Sequence, residues 1–455
     1  TYTGNGGTQK LGGPVFSSSA DSGLTHADGV TGMFDGSLST RGGVSSTDNS
    51  YKTLTDGVSI SASTGIRIYW NGVGAGQRYI RINGTTELDD GSAALTPGWS
   101  TQSSFSGTIN KIEVKTASSG SWSLAAVEVD GTILIDGTGP GLSFQPDFVW
   151  LKSLTAADSH SLFDSVRGAP KGFHSNTSGA EFDDSSTLTA FNSDGFTLAG
   201  HAVTNANNQN YAAWCWKAGG TAASNTDGSI TSSVSAGDGF SVVTWTGTAT
   251  AGTIGHGLNG KVPQFIITKR RDSSGDWYSQ HASLGATHRI QLNSSSAATS
   301  GTSLWNSTGP TGSVFSVGAD NEVNASGGTF VAYCFANVPG RQRVGSYPGS
   351  GSAVTVITGF KPRFILVRST SNARDWLLWD SERGASGGAA VPNLSNTPYS
   401  DSTYNGITFN ADGFTIMTGG STPNMSASGE TYIYLAIGDD EIGSDEDCLV
   451  DVPNA

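Results

Sequence analysis

Charge, cysteine and long apolar runs are all scarce in this sequence. Charged residues make up only 14% of the 455 positions, and the balance is acidic, with a net charge of −14. Phosphate binding needs a clustered basic surface, so nucleic acid is excluded as an expected partner. Three cysteines cannot build a disulfide framework. No apolar run approaches the roughly 18 residues of a membrane span, so no membrane partner is expected either. The first seven residues, Thr1 to Gly7, have no signal-peptide character, so export is not by a visible signal or the sequence begins after one. Sustained helical periodicity is missing throughout.

What the chain has instead is glycine, at 63 positions, with abundant Ser and Thr and scattered aromatics. That composition suits many short strands joined by tight turns and predicts an all-β protein of two to four domains. A short phrase then recurs three times: Pro146-Asp147-Phe148-Val149-Trp150-Leu151-Lys152, Pro263-Gln264-Phe265-Ile266-Ile267-Thr268-Lys269 and Pro362-Arg363-Phe364-Ile365-Leu366-Val367-Arg368. A proline, a phenylalanine, an apolar run and a basic end read as a buried strand with a polar exit. Each phrase is followed by a closing strand, Tyr211 to Trp216, Phe330 to Phe335 and Tyr432 to Ile437. The separations Pro146 to Cys215, Pro263 to Cys334 and Pro362 to Ala436 agree to within a few residues. Internal repeats decide architecture.

The expected organisation is a partial leader strand of repeat 1 (residues 1–11), an inserted domain (12–138), repeats 1 to 3 (139–220, 221–338, 339–438) and an acidic tail (439–455). Thr1-Tyr2-Thr3-Gly4 matches Thr244-Trp245-Thr246-Gly247 and Ser346-Tyr347-Pro348-Gly349 with no strand before it, so the chain opens in mid-repeat. A processed or truncated N-terminus, or a longer parent protein, would explain that. The insertion has alternating strands punctuated by turn signals such as Asn83-Gly84. Its phrase Met33-Phe34-Asp35-Gly36-Ser37-Leu38-Ser39-Thr40 resembles the opening of discoidin-like, galactose-binding-type jelly rolls. The fold expected is therefore tandem small β-sandwich repeats, stacked on their neighbours, with an inserted jelly-roll-like sandwich.

His160, Ser161, Asp164 and Ser165 together invite a hydrolase reading. The repeats oppose it: His160 becomes Trp277 and Trp376, and Asp164 becomes His281. Asp164 and Arg167 recur as Asp380 and Arg383 and are lost jointly as His281 and Leu284. They read as a structural turn brace, an exposed pair worth at most about 1 kcal/mol; the alternative is that the arginines contact a partner. Cys215, Cys334 and Ala436 share one small buried slot, so no metal–thiolate site and no cofactor is expected. The acidic pairs Asp89-Asp90, Asp183-Asp184 and Asp439-Asp440 lack the spacing of a calcium loop. Trp99, after Pro97-Gly98, and Trp305, before Asn306, lie in turn-rich stretches and are the candidates for stacking on a sugar.

Residues 139–438 resemble a repeat domain of unassigned function in large virion proteins of marine tailed phages. The resemblance rests on Tyr2-Thr3-Gly4-Asn5-Gly6, Gln145 through Lys152, Leu162-Phe163-Asp164-Ser165-Val166-Arg167-Gly168, Ser193-Asp194-Gly195-Phe196 and Ala213-Trp214-Cys215-Trp216-Lys217. It implies a tail, fibre or host-recognition component on the virion surface, with other virion proteins as partners, and it carries no catalytic residues. The expectation is a non-enzymatic virion structural protein, homo-oligomeric, that binds a host-surface glycan. A capsid decoration protein, a bacterial adhesin and a polysaccharide depolymerase are the alternatives.

Overall fold

The computed structural model describes residues 2–3, 6–7, 9–12, 42–44, 51–72, 77–91, 97–116, 122–129, 132–133, 142, 144–193, 195–381, 383, 393–394, 406–417 and 425–438. Met33 to Thr40, the Asp439-Asp440 pair and the acidic tail lie outside them. The protein is all-β, built of antiparallel sheets. It divides into two units, Thr1–Phe144 with Asn192–Leu198, and Gln145–Phe191 with Ala199–Ala455.

The first unit holds a sandwich. One sheet orders Lys52–Ala62, Gly107–Thr116, Arg78–Ile82 and Thr86–Gly91; the other orders Thr132–Ile133, Trp122–Val129, Ile66–Gly72 and Gly98–Trp99. Alternate residues of both, among them Ile68, Trp70, Ile80, Ile82, Ile112, Val114 and Val127, form one core. The turn at Asn83-Gly84 has positive φ at both residues, 54° and 71°, the geometry that matches the twist of a two-stranded ribbon. In the same unit Gln9–Gly12 pairs with Gly195–Leu198, Leu11 opposite Phe196.

In the second unit each repeated phrase is the middle strand of three. Phe148 lies opposite Asp164 on one side and Trp216 on the other; Phe265 opposite His281 and Phe335; Phe364 opposite Asp380 and Ile437. The register is the same in all three copies. Leader strands Phe240–Thr246 and Gln342–Pro348 add to the closing strands of the second and third copies. The phrases read as unbroken apolar runs because both of their faces are buried. In the second copy Ile266, Ala332 and Cys334 face a small sheet of its own, with Ile254, Phe315 and Trp305. The third copy does the same with Ile365, Val367, Ala436, Phe414 and Ile416.

The opposite faces of all three sheets meet one another. Phe148, Trp150, Trp214 and Trp216 of the first copy share a single core with Phe265, Ile267, Tyr333 and Phe335 of the second and with Phe364, Leu366, Leu435 and Ile437 of the third. The stacking of the copies on their neighbours is not an open, linear one. The copies close a ring around a common core, an aromatic cluster in which Phe148 lies 4.3 Å from Tyr333 and Trp216 lies 5.3 Å from Phe364, centroid to centroid.

The basic residue that ends each phrase is not a polar exit either. Lys152, Lys269 and Arg368 are fully buried. Lys269 donates to Ser178 O of the first copy at 3.2 Å, and Arg368 donates through Nη1 to Ser294 O of the second at 2.9 Å. Burial pulls the Lys269 ammonium down to about 8.

Candidate functional site

The hairpin end of each phrase carries the residues singled out from the sequence. Asp164 accepts from the backbone N–H of Arg167 at 2.8 Å and pairs with its guanidinium, both side chains being fully buried. Asp380 and Arg383 repeat the pair, N–H at 3.1 Å and Nε at 2.6 Å. The exposed brace is therefore corrected to a buried ion pair, costly to break on one side. Each pair also meets the next copy. Tyr333 OH donates to Asp164 Oδ2 at 2.8 Å, and Trp214 Nε1 donates to Asp380 Oδ2 at 3.3 Å. Tyr333 and Trp214 occupy the same position of the closing strand, so these contacts are equivalent ones around the ring.

The His160 cluster is occupied by packing. His160 Nδ1 accepts from Trp150 Nε1 at 2.8 Å in a fully buried setting. At the equivalent position Trp277 donates to His174 O at 3.0 Å and Trp376 to Gln291 O at 2.8 Å, each reaching into the preceding copy. Cys334 is buried, and burial pushes its thiol up to about 12. Asp90 is turned inward to accept from Trp70 Nε1 at 2.7 Å, and Asp184 accepts from Ser186 N and Oγ at 2.8 and 2.6 Å. Among the described residues no three His, Cys, Asp or Glu side chains converge to hold a metal ion, and no helix is long and apolar enough to cross a membrane.

Of the two candidate stacking residues, Trp305 is corrected. It is 0% exposed, in the second copy's own core beside Leu304 and Phe315. Asn306, with φ 49°, ends the helical turn Thr302–Trp305 and the ring is packed inside, where no sugar reaches it. Trp99 is half-buried, edge-on to Tyr69 at 5.3 Å, with the Arg67 guanidinium 4.6 Å over its ring. Arg67 is itself held by Glu128 at 2.6 and 2.7 Å, so this face of the indole already has a partner.

A concave site lies in the second copy, and sequence reasoning missed it. Its cavity of about 230 Å³ is bounded by Val262, Ile266, Gln280, Ala282, Gly285 and Pro310. Gln280 is 4% exposed, and neither its amide nitrogen nor its amide oxygen has a hydrogen-bond partner. His281 also lines the cavity. Its Nδ1 accepts from Ser283 N at 3.2 Å, leaving the proton on Nε2, 3.4 Å from Tyr434 O. Burial holds this imidazole down to about 4, so it is neutral at physiological pH. No charged side chain is among the residues that line it, and the histidine is engaged on both nitrogens. The signal was present in the repeat: Gln280 stands where the other copies have Phe163 and Trp379.

A family model described as a domain of unknown function, DUF7483, matches residues 126–440. The chain belongs to that family. The DUF7483 match takes in all three phrases, the shared core and the Gln280 cavity. No curated protein and no solved structure matches the chain.

Proposed function

We propose that this DUF7483 protein is a non-enzymatic structural component of a tailed-phage virion, tail-fibre-like or a surface appendage, that binds a host-surface glycan. The observation that carries the structural part is the ring. The residues repeated between copies, the phrase, the Asp–Arg pair and the closing-strand aromatics, are used to hold the copies to one another. A rigid block presenting loops is what an appendage requires, and the recognition role falls to the parts that differ between copies. The resemblance of residues 139–438 to virion repeats supplies the setting.

The test is to incubate the purified chain with host envelope polysaccharide and to locate it on purified particles by cross-linking. Retention on the polysaccharide with no release of oligosaccharides, and cross-links to tail proteins, are expected. Oligosaccharide release would overturn the non-enzymatic reading in favour of a depolymerase, and cross-links confined to the capsid would replace the tail assignment with decoration.

A further inference from the structure

Two buried histidines of the second copy, His256 and His281, pin the loops that bound its cavity. His256 Nδ1 accepts from Leu258 N at 3.2 Å, shaping the loop that runs on to Val262. Its Nε2 donates to Thr311 O at 3.1 Å, next to Pro310. His281 does the same on the other side. Its Nδ1 caps the turn Ala282–Leu284 at Ser283 N, and its Nε2 faces Tyr434 O of the third copy. The cavity walls are Ala282, Gly285 and Ala286 from that turn and its exit, Val262, and Gly309 with Pro310. Neither histidine recurs in the third copy. There the two places hold Thr358, which donates to Phe360 O at 2.7 Å, and Asp380, paired with Arg383.

A neutral imidazole accepts on one nitrogen and donates from the other, whereas an imidazolium donates from both. A proton added at Nδ1 therefore sets N–H against the N–H of Leu258 or Ser283, and the loop loses the acceptor that starts it. Little stands by to stabilise the charge. Asp227 faces His256, while among the described residues no charged side chain acts on His281. The other charged groups on the elements around them are engaged: Lys261 and Arg341 pair with Asp238, and Arg343 lies by the Tyr434 phenol. Burial holds both imidazoles below the ordinary value, His281 down to about 4. A released loop regains water and with it a value of about 6.5. Proton-linked opening is thus negligible above about 6.5 and grows as pH falls towards 4, by about a hundredfold from His281 alone. We propose that His256 and His281 form an acid-sensitive latch: a proton taken up at either Nδ1 uncaps one wall of the cavity, and the apolar interior at Ile266 opens to water while the shared core stays closed.

The test is hydrogen exchange of the full chain, read by mass spectrometry from pH 7 to 4 as protection factors, which remove the pH dependence of the exchange chemistry itself. Protection of residues 257–264, 282–287 and 309–313 is expected to fall by about a hundredfold at pH 4, while that of Phe148–Ser153 and Pro362–Ser369 holds. Loops as protected at pH 4 as at pH 7 overturn the proposal, and so does a loss spread evenly over the strands. Glutamine takes up no proton, so the double variant His256→Gln, His281→Gln is expected to keep these loops closed in acid. Opening equal to that of the native chain overturns the assignment to the histidines. His174→Gln, in the first copy, is expected to open as the native chain does, and loops that stay closed in it would move the switch away from the cavity. Should the double variant not fold, an NMR titration of the native chain decides: imidazoles that titrate while the loop amides stay unchanged overturn the latch.

Discussion

Replacing Tyr333 by Phe removes one oxygen from the shared core and leaves its packing unchanged. That oxygen donates to Asp164 Oδ2 at 2.8 Å across 169 residues of sequence, with Arg167 Nη2 at 3.3 Å. The acceptor is an ionised carboxylate, fully buried, so the bond belongs to the class worth about 1.5–3 kcal/mol. No water reaches the site to replace it, and salt screens it little. The second unit has about 300 residues, for which the unfolding entropy is about 0.6 kcal/mol per kelvin, so a loss of ~2 kcal/mol lowers Tm by about 3 °C.

Calorimetry of the native chain and of Tyr333→Phe measures that shift. A change below about 1 °C would refute the reasoning, and so would separate transitions for the three copies, since one core predicts one cooperative unit. A double-mutant cycle with Asp164→Asn sharpens the result. The two groups lie in different copies, and their coupling is expected to be about 1 kcal/mol or more. Strict additivity would mean that the copies meet without the bond.

Trp305→Ala is expected to cost about 3–5 kcal/mol in denaturant unfolding, as for an emptied aromatic core site. Unchanged stability would return Trp305 to the surface. Between pH 6.5, the ordinary value, and about 4, where burial holds His281, an unfolded chain binds the proton and the folded one does not. Stability is therefore complete above about 6.5 and falls as pH drops towards 4. His281→Gln is expected to flatten that slope in urea titrations at stepped pH, though not abolish it, because burial also lowers His174 and His256; an unchanged slope counts against the assignment. Alkylation of Cys334 by iodoacetamide is expected only after unfolding, and rapid modification of the native chain, read by mass spectrometry, would place the thiol outside the core.

The equivalence of the three copies was readable from the sequence because the three phrases constrain one another. Aligning the copies put Asp164, His281 and Asp380 at one repeat position, and the structure sets each of them opposite the phenylalanine of its phrase. What could not be read was which surfaces meet. A strand buried on both faces shows the same unbroken apolar run whether its second face covers a sheet of its own or two other copies. The basic ends misled for a related reason: Lys269 and Arg368 are covered by loops of the preceding copy, whose carbonyls replace water. At Trp305 the turn signal of Asn306 was sound, but a turn does not say on which side of the chain the ring lies. Gln280 was aligned with Phe163 and Trp379, yet an amide between two aromatics means little until its face is known to be the buried one.

The lost brace and the cavity of the second copy are one structural event. In the other copies an Asp holds an Arg three residues on and shapes the turn after the hairpin. Here His281 takes the place of the Asp, accepts from Ser283 N, and the chain coils through Ala282–Leu284. The coil ends at Gly285, whose φ of 71° permits the reversal and whose N–H returns to Ala282 O at 3.1 Å. Leu284, standing where the Arg was, packs against the shared core. The small residues that this rebuilt turn provides, Ala282, Gly285 and Ala286, are the ones that line the cavity. With His281 bonded to Tyr434 O of the third copy, the ring keeps its junction without the Asp–Arg pair. One copy is thereby released from the bracing common to the others while all three still close one core.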